Sequence, residues 1–288
     1  MGQPLYLIDA FVNDAFADEH SADKTFTGNP AGVCLLTEEK SPHWMQQVAA
    51  EINQAETAFL RKRPDGDWDL RWFTPAVEVN LCGHATLASA HALWQHVGES
   101  NPTLAFHTHS GVLKARRVGT GAEAGICLDF PDDPPTAIDA VPAALVTLLG
   151  GQPRWFGEGR DDAIAVVDSA DQVRQLRPDN ELIASFTRRG LIVTAPGDTD
   201  SLDMVSRFFA PNAGIPEDAV TGSAHCLLAA YWGERLGKTH LRALQASART
   251  GLLTLDWACE SDGNGGQKAG RVYLTGATRT RLTGEFHD

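Results

Sequence analysis

The sequence predicts an α+β protein of two similar lobes, each a curled mixed sheet around one central helix. Three observations carry that reading. The stretch RWFTPAVEVNLCGHATLASAHALW, Arg71 to Trp94, returns about half a chain length later as RFFAPNAGIPEDAVTGSAHCLLAAYW, Arg207 to Trp232, with its Arg, aromatic, Phe, Pro, Gly, apolar run and closing Trp in the same order. Such a repeat marks a duplicated, two-lobed chain. Each copy ends in a mostly apolar run without Pro or Gly, Ala85 to Trp94 and Ala224 to Trp232, the pattern of a buried helix. The rest reads as short strands, and GxGxxG and phosphate-loop motifs are absent, so sheets curled round a helix are favoured over a doubly wound nucleotide fold.

The elements follow in order. Leu5 to Phe11 reads as an opening strand, and the acidic run from Asn13 to Lys24 as a surface loop. Gly28-Asn29-Pro30 then turns the chain into a short buried strand, Ala31 to Thr37. Ser41 before Pro42 is a cap followed by a first-turn proline, and Met45, Val48, Ala49 and Ile52 share one helical face that stops at Asn53. Strands are expected at Ala55 to Leu60 and Asp67 to Phe73, then a hairpin of Thr103 to His109 with Gly111 to Val118, then Ile126 to Phe130. Pro131-Asp132-Asp133-Pro134-Pro135 is the most linker-like segment. The lobes are therefore placed at 1–125 and 126–288, with a last strand at about 278–288 able to return to the first. The second lobe reads as a helix from Pro142 to Leu149, a strand from Ile164 to Asp168, helices between Asp171 and Phe186, and a strand from Gly190 to Ala195. After the second repeat come strands at Leu241 to Ala248, Leu252 to Ala258 and, beyond an SDGNGGQ turn, Gly270 to Leu274.

Composition narrows the function. With 288 residues, 43% of them hydrophobic, there is material for two cores. A formal net charge of -13 argues against a nucleic-acid partner, which needs clustered Lys and Arg, and the RKR at 61–63 reads as a solvated turn. No run approaches the ~18 apolar residues of a membrane span. The start MGQPLYLIDAF lacks the marks of a signal peptide, so a cytoplasmic protein without a membrane partner is expected. The five Cys at 34, 82, 127, 226 and 259 show no CxxC spacing, which speaks against a disulfide framework and a zinc site. His107 and His109 alternate onto one strand face, a spacing metals use, but no third ligand is near in sequence and two satisfied histidines are expected.

The chemistry concentrates at the two repeat glycines. Helices entered through Cys82-Gly83-His84 and Thr221-Gly222-Ser223 would present unpaired amides and a positive dipole end, the makings of an anion site if both face one cleft. His84 at a helix start is pushed towards its neutral form and suits proton relay. Asp218, if it faces the same cleft, would hold His84 or bind a substrate amine, the plainer alternative being that Asp218 and Ser223 only cap the second helix. Glu56 lies at a helix-to-strand junction among apolar neighbours, where desolvation would raise its pKa, although position alone favours a solvated loop glutamate.

The combination of Gly28-Asn29-Pro30-Ala31, Glu56-Thr57-Ala58-Phe59, Phe73-Thr74-Pro75, Cys82-Gly83-His84-Ala85-Thr86, Glu217-Asp218 and Thr221-Gly222-Ser223-Ala224-His225 resembles the phenazine-biosynthesis PhzF family. The resemblance implies two pseudo-symmetric diaminopimelate-epimerase-like lobes with an active site between them. It further implies cofactor-free isomerisation of a small cyclic amino acid or related carboxylate, commonly in a homodimer. On that resemblance Glu56 matches the catalytic acid/base, while His84, Asp218, Ser223 and the amides of Gly83 and Gly222 match substrate contacts; no metal is implied. Two features depart from it: the loop at 13–24 is longer, and Ala219 stands where the family often has Pro. Two other readings stay open, a one-thiol epimerase or dehydratase using Cys82 and a small-molecule binding protein without turnover. A two-thiol racemase is disfavoured because the repeat partner of Cys82 is Thr221.

Overall fold

The computed structural model describes residues 2–13, 26–120, 124–259 and 270–287. Apart from Asn13, the expected acidic loop lies outside the described residues, as does the SDGNGGQ turn. The chain divides into two compact units, Met1–Asp129 with Thr275–Asp288, and Phe130–Leu274.

Unit 1 is built from β1 (Gln3–Ala10), β2 (Asn29–Leu36), α1 (Pro42–Ile52), β3 (Glu56–Lys62), β4 (Trp68–Phe73), β5 (Glu78–Val79), α2 (Gly83–Ala92), β6 (Thr103–Thr108), β7 (Gly111–Val118) and β8 (Gly125–Pro131). β1 runs antiparallel to β2, β2 parallel to β3, β3 antiparallel to β4, β4 parallel to β6, and β6 to β8 form an antiparallel meander. β5 folds back on β4.

Unit 2 contains β9 (Thr136–Ala137), α3 (Ala143–Leu149), β10 (Trp155–Glu158), β11 (Asp162–Val166), α4 (Ala170–Gln175), α5 (Asn180–Ala184), β12 (Gly190–Pro196), β13 (Met204–Ala210), β14 (Ile215–Asp218), α6 (Gly222–Leu236), β15 (His240–Gln245), β16 (Gly251–Ala258) and β17 (Arg271–Gly276). Its pairings repeat those of unit 1 step for step. β10 is antiparallel to β11, β11 parallel to β12, β12 antiparallel to β13, β13 parallel to β15, and β15 antiparallel to β16, with β14 folding back on β13. The closing strand β18 (Thr278–Phe286) belongs to unit 1, where it lies antiparallel to β1.

The local chemistry explains these elements. Ser41 Oγ accepts from the Trp44 amide at 3.1 Å and starts α1, which Asn53 stops in the left-handed region, φ 53°. Met45, Val48 and Ala49 of that helix pack with Leu5, Cys34, Phe59 and Phe73. Nearly all of α2 is buried, and the hydroxyls of Thr86 and Ser89 are satisfied by donating to the carbonyls of Cys82 and Ala85 at 2.6 and 2.7 Å. The closing Trp of each repeat is satisfied too, Trp94 Nε1 by the Asn101 carbonyl and Trp232 Nε1 by Thr194 Oγ1. Even the opening Arg has one task in both copies. Arg71 forks onto Glu78 with two 2.7 Å bonds and Arg207 onto Glu217 with bonds of 2.7 and 2.9 Å, each guanidinium lying over a Phe ring two residues on.

Some expectations need correction. The first repeat helix does not stop at Trp94 but runs on as a π-helical turn, Leu93–Val97, closed by Gly98. The RKR run is no solvated turn: Arg61 and Lys62 finish β3, and all three cations pair with acids, Glu39 and Asp69, Glu99, and Asp65 and Asp69. The strands β5, β9, β10 and β14 were not anticipated, being at most four residues long, too short to show alternation. None of the five Cys is in a disulfide, and Cys82 is as buried as the core thiols. No helix among the described residues is long and apolar enough to cross a membrane.

Candidate active site

In unit 1 the site starts from a register. β3 pairs in parallel with β2, Glu56 opposite Ala31, and the carboxylate that begins β3 is drawn inside the unit. Its side chain is only 10% exposed, which overturns the reading as a solvated loop residue. Glu56 Oε2 lies 3.2 Å from Nε2 of His84, whose side chain is 5% exposed. His84 is the second residue of α2, and its Nδ1 faces Asn29 Nδ2 at 3.1 Å and Cys82 Sγ at 3.6 Å. Gly83 opens the helix, and its first intrahelical bond, from the Thr86 amide to the Cys82 carbonyl, leaves the amides of residues 83–85 ahead of it at the positive dipole end.

Glu56, Cys82 and His84 offer ligand atoms within 4.8 Å of one another. That donor set would suit a thiophilic cation. The thiol, however, approaches Nδ1 and the carboxylate Nε2, so a cation on either ring nitrogen would require one of the two to swing round the imidazole. His107 has a neighbourhood that the sequence spacing concealed. It bonds Asp67 at 2.9 Å with Asp65 close by, while His109 lies 3.6 Å from Glu78, so both are paired histidines.

In unit 2, Asp218 ends β14, is buried, and accepts a 2.6 Å bond from Thr221 Oγ1. Gln245 pins both: its Nε2 donates to the Asp218 carbonyl and to Thr221 Oγ1, and its Oε1 accepts from the Thr221 amide. Thr221 is therefore the N-cap by position but spends its hydroxyl on Asp218. Gly222 opens α6, and Ser223 accepts a 3.0 Å bond from Arg189 Nη2. The Arg189 guanidinium forks onto the buried Asp162 carboxylate. Burial pushes the Asp162 carboxyl up, against the pull of Arg189. Burial likewise opposes charge on Arg189, but Asp162 outweighs it and the guanidinium stays charged. Asp218 and Ser223 thus do not act as helix caps.

His225 stands apart from this chemistry. It is fully buried inside α6, its Nδ1 donates to the Thr221 carbonyl at 2.7 Å, and burial lowers its pKa to about 4, leaving a neutral core histidine. Sequence reasoning overlooked Asn29, Arg189, Asp162 and Gln245. Asn29 was visible in its Gly-Asn-Pro turn, whereas the others sit in strands or strand ends without a local signature.

The comparisons bear on family and fold. The profile of the phenazine biosynthesis-like protein family, PhzC-PhzF, matches residues 13–284. An uncharacterized isomerase of Halalkalibacterium halodurans is 42% identical over 288 residues, 99% of either chain. The crystal structure of a phenazine biosynthesis PhzF-family protein from Enterococcus faecalis superposes with a TM-score of 0.85 at 36% identity, covering all of both chains. A probable proline racemase from Agrobacterium radiobacter, 13% identical, shares the fold with a TM-score of 0.66 over 99% of this chain and 93% of its own. The duplicated α+β architecture, the helix-start chemistry and these likenesses converge: the chain belongs to the phenazine biosynthesis-like PhzF family and is an enzyme of the isomerase kind.

Proposed function

We propose that the protein moves a proton within a small cyclic amino acid or related carboxylate without a cofactor, Glu56 removing the proton from one carbon and returning it to another. The observation that carries this reading is the Glu56 carboxylate, buried and 3.2 Å from an imidazole at a helix start. A carboxylate largely withdrawn from water is a stronger base than one on the surface, and once protonated it can exchange with solvent and return a proton to another carbon. The electron pair left behind needs fixed donors, which the amides at Gly83 and His84 supply. In unit 2, Gly222 and Ser223 are suited to donate to a substrate carboxylate and Asp218 to accept from an amine.

One observation favours a second reading, a one-thiol reaction at Cys82. Its Sγ lies 3.6 Å from His84 Nδ1, close enough for the imidazole to take the thiol proton. Its counterpart Thr221 is committed to Asp218 and is a poor base, so a paired-thiol reaction gains no support.

The test is solvent exchange. Incubated in deuterium oxide with a panel of cyclic amino acids and cyclic carboxylates, the wild-type protein is expected to place deuterium on a ring carbon of at least one, read by proton NMR. Exchange that survives iodoacetamide treatment and Cys82→Ser assigns the step to Glu56; exchange lost with the thiol assigns it to Cys82. Ligands that bind without any exchange would overturn both and leave a binding protein.

A further inference from the structure

Nothing in the proton-transfer proposal uses the Gly28-Asn29-Pro30 turn, yet the fold holds that turn rigidly. Gly28 has φ +81°, and a Cβ there would stand 2.5 Å from the Ala10 carbonyl oxygen, so only glycine fits. Asn29 follows as the first residue of β2, in register with Ala10, and is 1% exposed. Pro30 behind it confines the Asn29 backbone to the extended region. With backbone and burial both fixed, the side-chain amide sits with Nδ2 3.1 Å from His84 Nδ1.

An amide nitrogen donates and cannot accept, so the ring nitrogen facing it must offer a lone pair. The Cys82 thiol, 3.6 Å from the same Nδ1, is a weak donor of the same sense. In a neutral imidazole the one remaining N–H is then on Nε2, where Glu56 Oε2 lies 3.2 Å away. We infer that Asn29 is a positioning residue: it fixes His84 as the Nε2–H tautomer, so that the ring turns its one N–H to the side where the Glu56 carboxylate lies 3.2 Å away. Groups facing the ring include Asn29 from β2, Glu56 from β3, and Cys82 just ahead of α2. A second proton on Nδ1 would point at the Asn29 amide.

The catalytic consequence rests on the role proposed for Glu56; the tautomer itself does not. It is tested by NMR of the ring nitrogens in protein labelled with 15N-histidine, the His84 signals being assigned by their loss in His84→Gln. At pH 7 the wild-type protein is expected to show Nε2 protonated and Nδ1 bare. Asn29→Asp replaces the donor by an acceptor of the same shape and is expected to make His84 doubly protonated at pH 7, with exchange activity down by at least about tenfold and ligand binding retained. A wild-type ring protonated on Nδ1, alone or with Nε2, would overturn the inference even if the variant failed to fold. So would a His84 pattern unchanged in a folded Asn29→Asp. Because the spectrum is read without turnover, a failed exchange assay for Glu56 leaves it standing.

Discussion

At the start of α2, unit 1 sets a carboxylate and an imidazole 3.2 Å apart. At the start of α6, unit 2 sets a threonine-bound carboxylate and a serine tied to an Arg–Asp pair. The frames around the two starts are the same, down to the Arg–Glu forks of Arg71 and Arg207. The difference lies in what each register leaves room for. Thr57 pairs with Phe73 and Leu191 with Phe209, the matching Phe of the second repeat, so the counterpart of Glu56 is Gly190. A Cβ on Gly190 would lie 2.5 Å from the Phe209 carbonyl oxygen. Duplication therefore kept two helix starts but left space for an acid in only one, in keeping with the proton-transfer role proposed for Glu56.

The comparison can be broken in four places. The largest effect is expected from Gly190→Glu, which puts an acid at the equivalent position against backbone that cannot retreat. Overpacking of this kind costs about 3 kcal/mol or more, and urea unfolding should find little native protein, whereas a stable variant would show that the second register was never closed to a side chain. Next comes the fork of unit 2. Arg207 is 10% exposed and also donates to the carbonyls of Val173, Arg174 and Leu176, so Arg207→Met strands a half-buried Glu217 and several acceptors. A loss of about 3–5 kcal/mol is expected by the same measurement.

The third effect is a pH dependence that α6 contributes through His225. His225 has its pKa depressed to about 4 in the folded protein, against 6.5 for the free group. The unfolded chain binds this proton first, so the contribution is fully present above pH 6.5 and is lost as pH falls towards 4. Up to about 3 kcal/mol is involved, and stability curves for His225→Gln should be flatter than wild type across that window. The smallest effect belongs to the fork of unit 1. Arg71 and Glu78 are 26% and 24% exposed, and Arg71→Met should cost about 1 kcal/mol, a fraction of the Arg207 loss. Equal losses at the two forks would mean that burial does not separate them.

How much of this was legible in the sequence follows from what each feature depends on. The duplication, both helix starts and the cap at Ser41 are written in consecutive residues and could be read directly. The burial of Glu56 is set by parallel pairing with β2, a contact across more than twenty residues, so position alone pointed the other way. Asp162, Arg189 and Gln245 reach the start of α6 from three separate strands or strand ends, and no local pattern announces them. The RKR run misled because its acids come from Glu39, Asp69 and Glu99, invisible until the sheet forms.

The role proposed for Glu56 is tested most directly by single-turnover deuterium exchange in Glu56→Gln and Asp218→Asn, with binding of the same ligand followed by calorimetry. Glu56→Gln should slow exchange by about 10²–10⁴-fold while the ligand still binds, and Asp218→Asn should weaken binding with a smaller effect on the bound-state rate. Exchange at the wild-type rate in Glu56→Gln, or its abolition in Asp218→Asn with binding intact, would place the proton-transferring group outside unit 1.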